Sequence, residues 1–310
     1  MKNVFLRKHT AEDIDGQIAK ILRGLGNPEP PLRIEDVREL LRLDTKFYSS
    51  TDTGILRETI SRLFVGAKQL INRPALLGDA LSKFQLKALW LPDHKRILID
   101  NSVPKIKHRW IEAHEVTHSV LPWHRDCLFG DTEQTLRPSC HEQLEGEANF
   151  GAGRLLFLGD RFARESADFE IGLAAVKALS KTYGNTLTST LWRFVECLGD
   201  ERPLVGLVSI HPHNPVQSTV AVPVCRYFIR SRAFGDQFPH MNENDVFEIA
   251  KLYCGRQTGG PLGATTITLT NVRGESCVFK FETFYNGYDA LTLGSFKQLA
   301  KSQSWARFDE

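Results

Sequence analysis

The chain has no apolar run of membrane-spanning length; its hydrophobic stretches stop well short of the roughly 20 residues a transmembrane helix needs. It has no leader-type start either. Met1-Lys2-Asn3-Val4-Phe5-Leu6-Arg7-Lys8-His9 reaches charge before a hydrophobic region can form, so a cytoplasmic location without membrane contact is expected. Paired cysteines are missing as well. Cys127, Cys140, Cys197, Cys225, Cys254 and Cys277 include no C-x-x-C pair, a pattern that points to reduced thiols and not to a disulfide framework. His124, Cys127, Cys140 and His141 lie close in sequence but make only a weak case for a second zinc site. No charge sign is in surplus. A formal net charge of +2 over 310 residues gives no whole-chain footprint for nucleic acid. Methionine is nearly absent, with two residues in all.

What stands out against this background is Lys107-His108-Arg109-Trp110-Ile111-Glu112-Ala113-His114-Glu115-Val116-Thr117-His118-Ser119-Val120-Leu121, which contains H-E-x-x-H. On a helix, positions i and i+4 share a face, so His114 and His118 can present two imidazole nitrogens to one zinc ion. Glu115 falls on the adjacent strip, within reach of an attacking water, as the general base of a zinc hydrolase. Ile111, Ala113, Val116, Val120 and Leu121 are apolar at helical spacing, so the helix should be buried. Buried histidines and a buried glutamate are costly unless they are paired or bind metal.

Around this helix the chain reads as follows. Residues 11–26 form an amphipathic helix, and Val37, Leu40 and Leu41 mark a second. A short extended stretch follows at Lys46-Phe47-Tyr48, and residues 57–71 form a third helix. Two strands, 86–91 and 96–99, flank a turn at Pro92-Asp93-His94-Lys95 and make a small antiparallel sheet. After the metal helix, residues 122–139 are polar and irregular, of a length that suits a functional rim. A glycine-containing helix then runs from near Cys140 to Leu158.

Catalytic zinc usually has three protein ligands and one open position. The third candidate is Glu145, with Glu142 and Glu147 beside it, or else His124. His118 and His124 have the spacing of the longer H-E-x-x-H-x-x-G-x-x-H pattern, but Leu121 replaces its glycine and Met241 is the only methionine after Met1. Glu145 is therefore preferred. His141 and Arg109 are candidates for a second electrophile.

Trp110 to Leu121, followed by Glu145-Gly146-Glu147-Ala148-Asn149 and Leu155-Leu156, resembles the ImmA/IrrE family of metallo-endopeptidases. The resemblance covers roughly residues 10–198. It implies His114, His118 and Glu145 as zinc ligands, although Mn²⁺ or Fe²⁺ could fill such a site. It implies Glu115 as catalytic base and a helix-turn-helix repressor as protein substrate, cut to relieve transcription. Gly151 departs from the family, which has Phe there, and Leu158-Gly159 stands where Pro is usual.

The segments 176–183 and 187–197, joined through Gly184, have the outline of a helix-turn-helix, but Arg193 is the only cation of the second helix. Recognition helices carry more basic and amide groups, so direct DNA binding is not expected. From Leu204 onward, short apolar runs replace helical patterns: 204–210, 220–224, 265–269 and 277–284, with a helix at 244–253. His211-Pro212-His213 reads as a pair of loop histidines.

The expected fold is α+β: a mainly helical, zincin-like metallopeptidase domain with a small antiparallel sheet at 1–202, helical tail 160–198 included. A smaller α+β domain follows at 203–310; it could sense a ligand, as the resemblance implies through the GAF-like domain of some family members, hold a protein substrate, or only stabilise the fold. The expected function is a regulatory zinc endopeptidase. The competing reading is a non-catalytic zinc-containing transcriptional regulator or a ligand-sensing interaction protein, in which the zinc site is closed by four protein ligands.

Overall fold

The computed structural model describes residues 3, 5–48, 88–91, 95–124, 138–199, 202–213 and 223–300, with backbone alone at 48, 88–91 and 138–141. The expected helix at 57–71, the turn at 92–94 and most of the rim after the metal helix lie outside the described residues. Among the described residues, no helix is long and apolar enough to cross a membrane.

The fold is α+β, and its packing divides the chain into two compact units, Leu6–Arg161 and Phe162–Glu310 with Met1–Phe5. In the first unit, helix α1 (Lys8–Gly24) buries Ile14, Ile18, Ile21 and Leu22, the expected stripe. Helix α2 (Ile34–Leu41) buries Ile34 and Val37 and ends at Arg42 in the left-handed conformation. Strands β1 (Asp44–Tyr48), β2 (Ala88–Leu91) and β3 (Arg96–Asp100) form a sheet in the order β1-β3-β2. β2 and β3 are antiparallel as expected, but β1 joins β3 in parallel, so the sheet is mixed. The reason is local: β3 is buried across Ile97, Leu98 and Ile99 and so has two paired sides, and Arg96 Nε meets Asp44 Oδ2 at 2.7 Å to fix the register of β1. Helix α3 (Lys105–Val120) packs on this sheet and against helix α4 (Pro138–Leu156).

The second unit is built on a five-stranded antiparallel sheet of β4 (Leu204–Ser209), β5 (Cys225–Arg230), β6 (Gly260–Thr270), β7 (Ser276–Tyr285) and β8 (Ala290–Leu299), in the order β5-β4-β8-β7-β6. Helices α5 (Arg161–Ala167), α6 (Leu173–Tyr183), α7 (Leu187–Leu198), α8 (Arg232–Gln237) and α9 (Glu243–Tyr253) complete it. β4 is buried on both faces. Val205 and Leu207 pack with Phe234 and Phe238 around α8 and with Val246 and Phe247 of α9. On the opposite face, a Cβ at Gly206 would lie 3.3 Å from Val195 of α7.

That second cover explains why the division falls at 161/162 and not at 202/203. In the helical tail, α7 buries Leu191, Phe194 and Val195 on the C-terminal sheet, and residues from Phe162 onward belong to that unit. It also buries Arg193, so α7 presents no cation to solvent. The N-terminal cap of α9 is Asn242, in a reciprocal capping box with Asp245.

Candidate metal centre

Helices α3 and α4 bring together the residues that the sequence separates by about thirty positions. Their contact is closest at Gly151, where a Cβ would stand 2.3 Å from Thr117 Cγ2 and 3.2 Å from Ile14 Cγ2. Glycine at 151 is thus a packing requirement: three helices meet there and leave no room for a side chain. Gly151→Ala should lower the melting temperature even though alanine favours helix by about 1 kcal/mol, because overpacking of this kind costs about 1–3 kcal/mol. Thr117→Ser, which removes the clashing methyl, should restore most of the loss in the double variant. Thermal unfolding of the two single variants and the double variant checks this.

One turn from Thr117, His114 Nε2 and His118 Nε2 lie 3.1 Å apart. Glu145 of α4 closes the triangle, with Oε2 at 3.3 Å from His114 Nε2 and Oε1 at 3.5 Å from His118 Nε2. Among the described residues this is the group whose ligand atoms converge as a metal site requires. Tetrahedral zinc with ligand bonds of about 2.0–2.1 Å would separate its donors by about 3.3 Å, so the three distances fit a single ion. Asn149 Oδ1 lies 3.1 Å from His114 Nδ1, accepts its hydrogen and leaves Nε2 as the lone-pair donor. Two nitrogens and a carboxylate this close together are an unfavourable set of donors until a cation joins them.

The electrostatics match this arrangement. Burial works against the charge on Glu145, but the imidazoles of His114 and His118 beside it outweigh burial and hold the carboxyl far below its usual range. Burial pushes His118 down, the neighbouring imidazoles of His114 and His124 push it further, and it reaches about 4 despite Glu145. His114 is also depressed by burial, yet Glu145, Glu115 and Asn149 together raise it above its ordinary value. At pH 5.5 the metal-free site therefore holds one proton, on His114, while Glu145 is ionised and His118 neutral. Binding of one zinc ion at that pH should release about one proton, and affinity should weaken about tenfold per unit of pH lost below the raised His114 value, down to about 4. Calorimetric titration in buffers of different ionisation enthalpy counts the protons; a count of two would contradict this assignment.

The remaining predicted residues fall into distinct places. Glu115 is buried on the same helix. His124 is not at the triangle; it lies behind His118, with Nδ1 2.8 Å from His118 Nδ1 and Nε2 2.9 Å from Glu147 Oε2. Glu147 is likewise turned away from the triangle, accepting from Trp123 Nε1 at 2.6 Å and Gln143 Nε2 at 2.8 Å. Glu142 is exposed. Arg109 donates to the Leu32 carbonyl at 2.9 Å. The side chain of His141 lies outside the described residues, as do those of Cys127 and Cys140. His211 is a satisfied core histidine, with Nε2 2.9 Å from the Gln257 carbonyl and Nδ1 accepting from His213 N–H. Asn149 and Trp123 are site residues that side-chain chemistry alone did not single out; the asparagine could have been found from its place four residues beyond Glu145, one turn along the same helical face.

No protein-family description and no curated protein matches the chain. Among solved structures, one described as a Mycobacterium tuberculosis transcriptional regulator is similar at 14% identity, covering 92% of this chain and 88% of that one, with a TM-score of 0.47.

Proposed function

We propose that the chain is a zinc-dependent endopeptidase of the ImmA/IrrE kind, acting in the cytoplasm on a protein partner such as a helix-turn-helix repressor. The observation that carries this reading is the shape of the ligand set. A structural zinc site is closed by four protein ligands, while a catalytic one has three and an open position. Among the described residues three ligands converge, and His124, the residue able to supply a fourth, has both ring nitrogens engaged elsewhere.

A divalent ion in this triangle would supply Lewis-acid polarisation of a peptide carbonyl and a water acidified from about 15.7 toward about 7. His114, His118 and Glu145 would hold it. The Glu115 carboxylate would accept a proton from the attacking water and return it to the departing amine nitrogen. Among the described residues strand β2 is an edge of its sheet, and it packs against α3, so it could hold an extended peptide by main-chain hydrogen bonds. The C-terminal sheet unit would serve as the sensor or substrate-holding part. Incubating the zinc-loaded full chain with candidate repressors, with and without chelator, tests the reading. Chelator-sensitive cleavage at a defined bond supports it; intact partners together with salt-dependent DNA binding favour the non-catalytic regulator.

A further inference from the structure

The metal-site reading above leaves a buried pair without a role. His124 is fully buried and Glu147 is 1% exposed. Fully buried polar side chains of this kind are retained at a cost unless every hydrogen bond is made, and here each is. The pattern of those bonds has a fixed direction. A carboxylate only accepts, so the hydrogen between His124 Nε2 and Glu147 Oε2 belongs to His124. The neutral His124 ring then has a bare lone pair on Nδ1, 2.8 Å from His118 Nδ1. The hydrogen in that contact must come from His118. His118 is thereby set as its Nδ1–H tautomer, with the Nε2 lone pair left facing His114 and Glu145. Trp123 Nε1 donates to the same Oε2 that accepts from His124, and Gln143 Nε2 donates to Oε1, so the chain of bonds starts from an anchored anion.

We propose that Glu147 and His124 are positioning residues of the metal centre: a carboxylate–imidazole relay that fixes the tautomer and ring orientation of His118 and strengthens it as a metal ligand. The relay rests on the metal-site reading. It is built from residues outside the ligand triangle, and it acts through a second imidazole where Asn149 acts on His114 directly. The effect belongs to the class in which an outer hydrogen-bond partner orients a ligating histidine and raises its basicity.

Two variants separate this role from a merely structural one. In His124→Phe nothing is left to accept from His118 Nδ1, so the His118 hydrogen is free to move to Nε2, toward the Glu145 carboxylate and into the position of the ion. In His124→Asn the side-chain oxygen can still accept from His118 Nδ1, but the link to Glu147 is cut. Zinc affinity of the full chain is measured by competition with a chromophoric chelator, and the tautomer of His118 in the metal-free protein by long-range ¹⁵N–¹H correlations. The expected results are zinc binding weakened roughly 10–100-fold in His124→Phe, with the His118 hydrogen moved to Nε2, and weakened binding with the hydrogen still on Nδ1 in His124→Asn. Affinity within about threefold of wild type in both folded variants, with an unchanged tautomer, overturns the relay while leaving the metal site intact. A wild type that binds no zinc, like His114→Ala, overturns the site itself and the relay with it.

Discussion

Glu115→Gln should stop peptide hydrolysis while leaving one zinc ion per chain in place. Glutamine has nearly the shape of glutamate and the same reach, so the buried position on α3 is preserved. What it lacks is a carboxylate able to take a proton from water. General acid–base groups contribute about 10²–10⁴-fold, and a base that also returns the proton to the leaving amine should stand at the upper end of that range. The comparison is made at saturating substrate, with metal content measured on the same preparations. Loss of turnover with unchanged metal content locates the defect in proton transfer. A variant that still cleaves at more than about a tenth of the wild-type rate would remove Glu115 from the role of base.

The second large effect concerns stability. An ion that binds the native unit and not the unfolded chain adds RT ln(1 + [L]/Kd), about 4 kcal/mol when free zinc is a thousandfold above Kd. Three ligands drawn from two different helices make this a link between α3 and α4 that the unfolded chain cannot form. For a unit of this size, 1 kcal/mol moves the melting temperature by about 2–4 °C, so zinc should raise it by about 8–16 °C. In His114→Ala the shift should vanish. Calorimetry of the wild type and the variant, each with excess zinc and with chelator, measures both. An equal zinc-dependent shift in the two proteins would place the ion elsewhere.

The convergence of His114 and His118 was legible in the sequence because the helical period alone puts residues i and i+4 on one face. Glu145 was legible only as a preference over His124, because its role depends on how two helices dock, and that docking is set by Gly151 seating against Thr117. His124 illustrates the limit well. Its spacing from His118 suits a third ligand, yet the chain bends at Leu121-Pro122 and delivers the ring to the opposite nitrogen of His118. No one-dimensional spacing reports which side of a ring a neighbour approaches.

In the fold, α1 and α9 followed from periodicity and capping, and the metal helix from its apolar spacing. β5 and β8 were missed. β5 carries polar and aromatic residues in mixed order, Cys225-Arg226-Tyr227-Phe228, and β8 is buried at six consecutive positions, so it shows no alternation to read. The parallel pairing of β1 was invisible because it is a long-range contact across about fifty residues. The placement of helix α7 followed from the need of β4 for cover on both faces, a demand that appears only once the sheet order is known.

The central claim is that His114, His118 and Glu145 form a three-ligand site with an open position. Zinc stoichiometry at saturating metal, measured by elemental analysis on wild type, Glu145→Ala and His124→Ala, tests it most directly. The account predicts about one ion per chain in the wild type and in His124→Ala, and none in Glu145→Ala. Zinc retained by Glu145→Ala and lost from His124→Ala would contradict it, because the ion would then be held by the residue placed here behind the site.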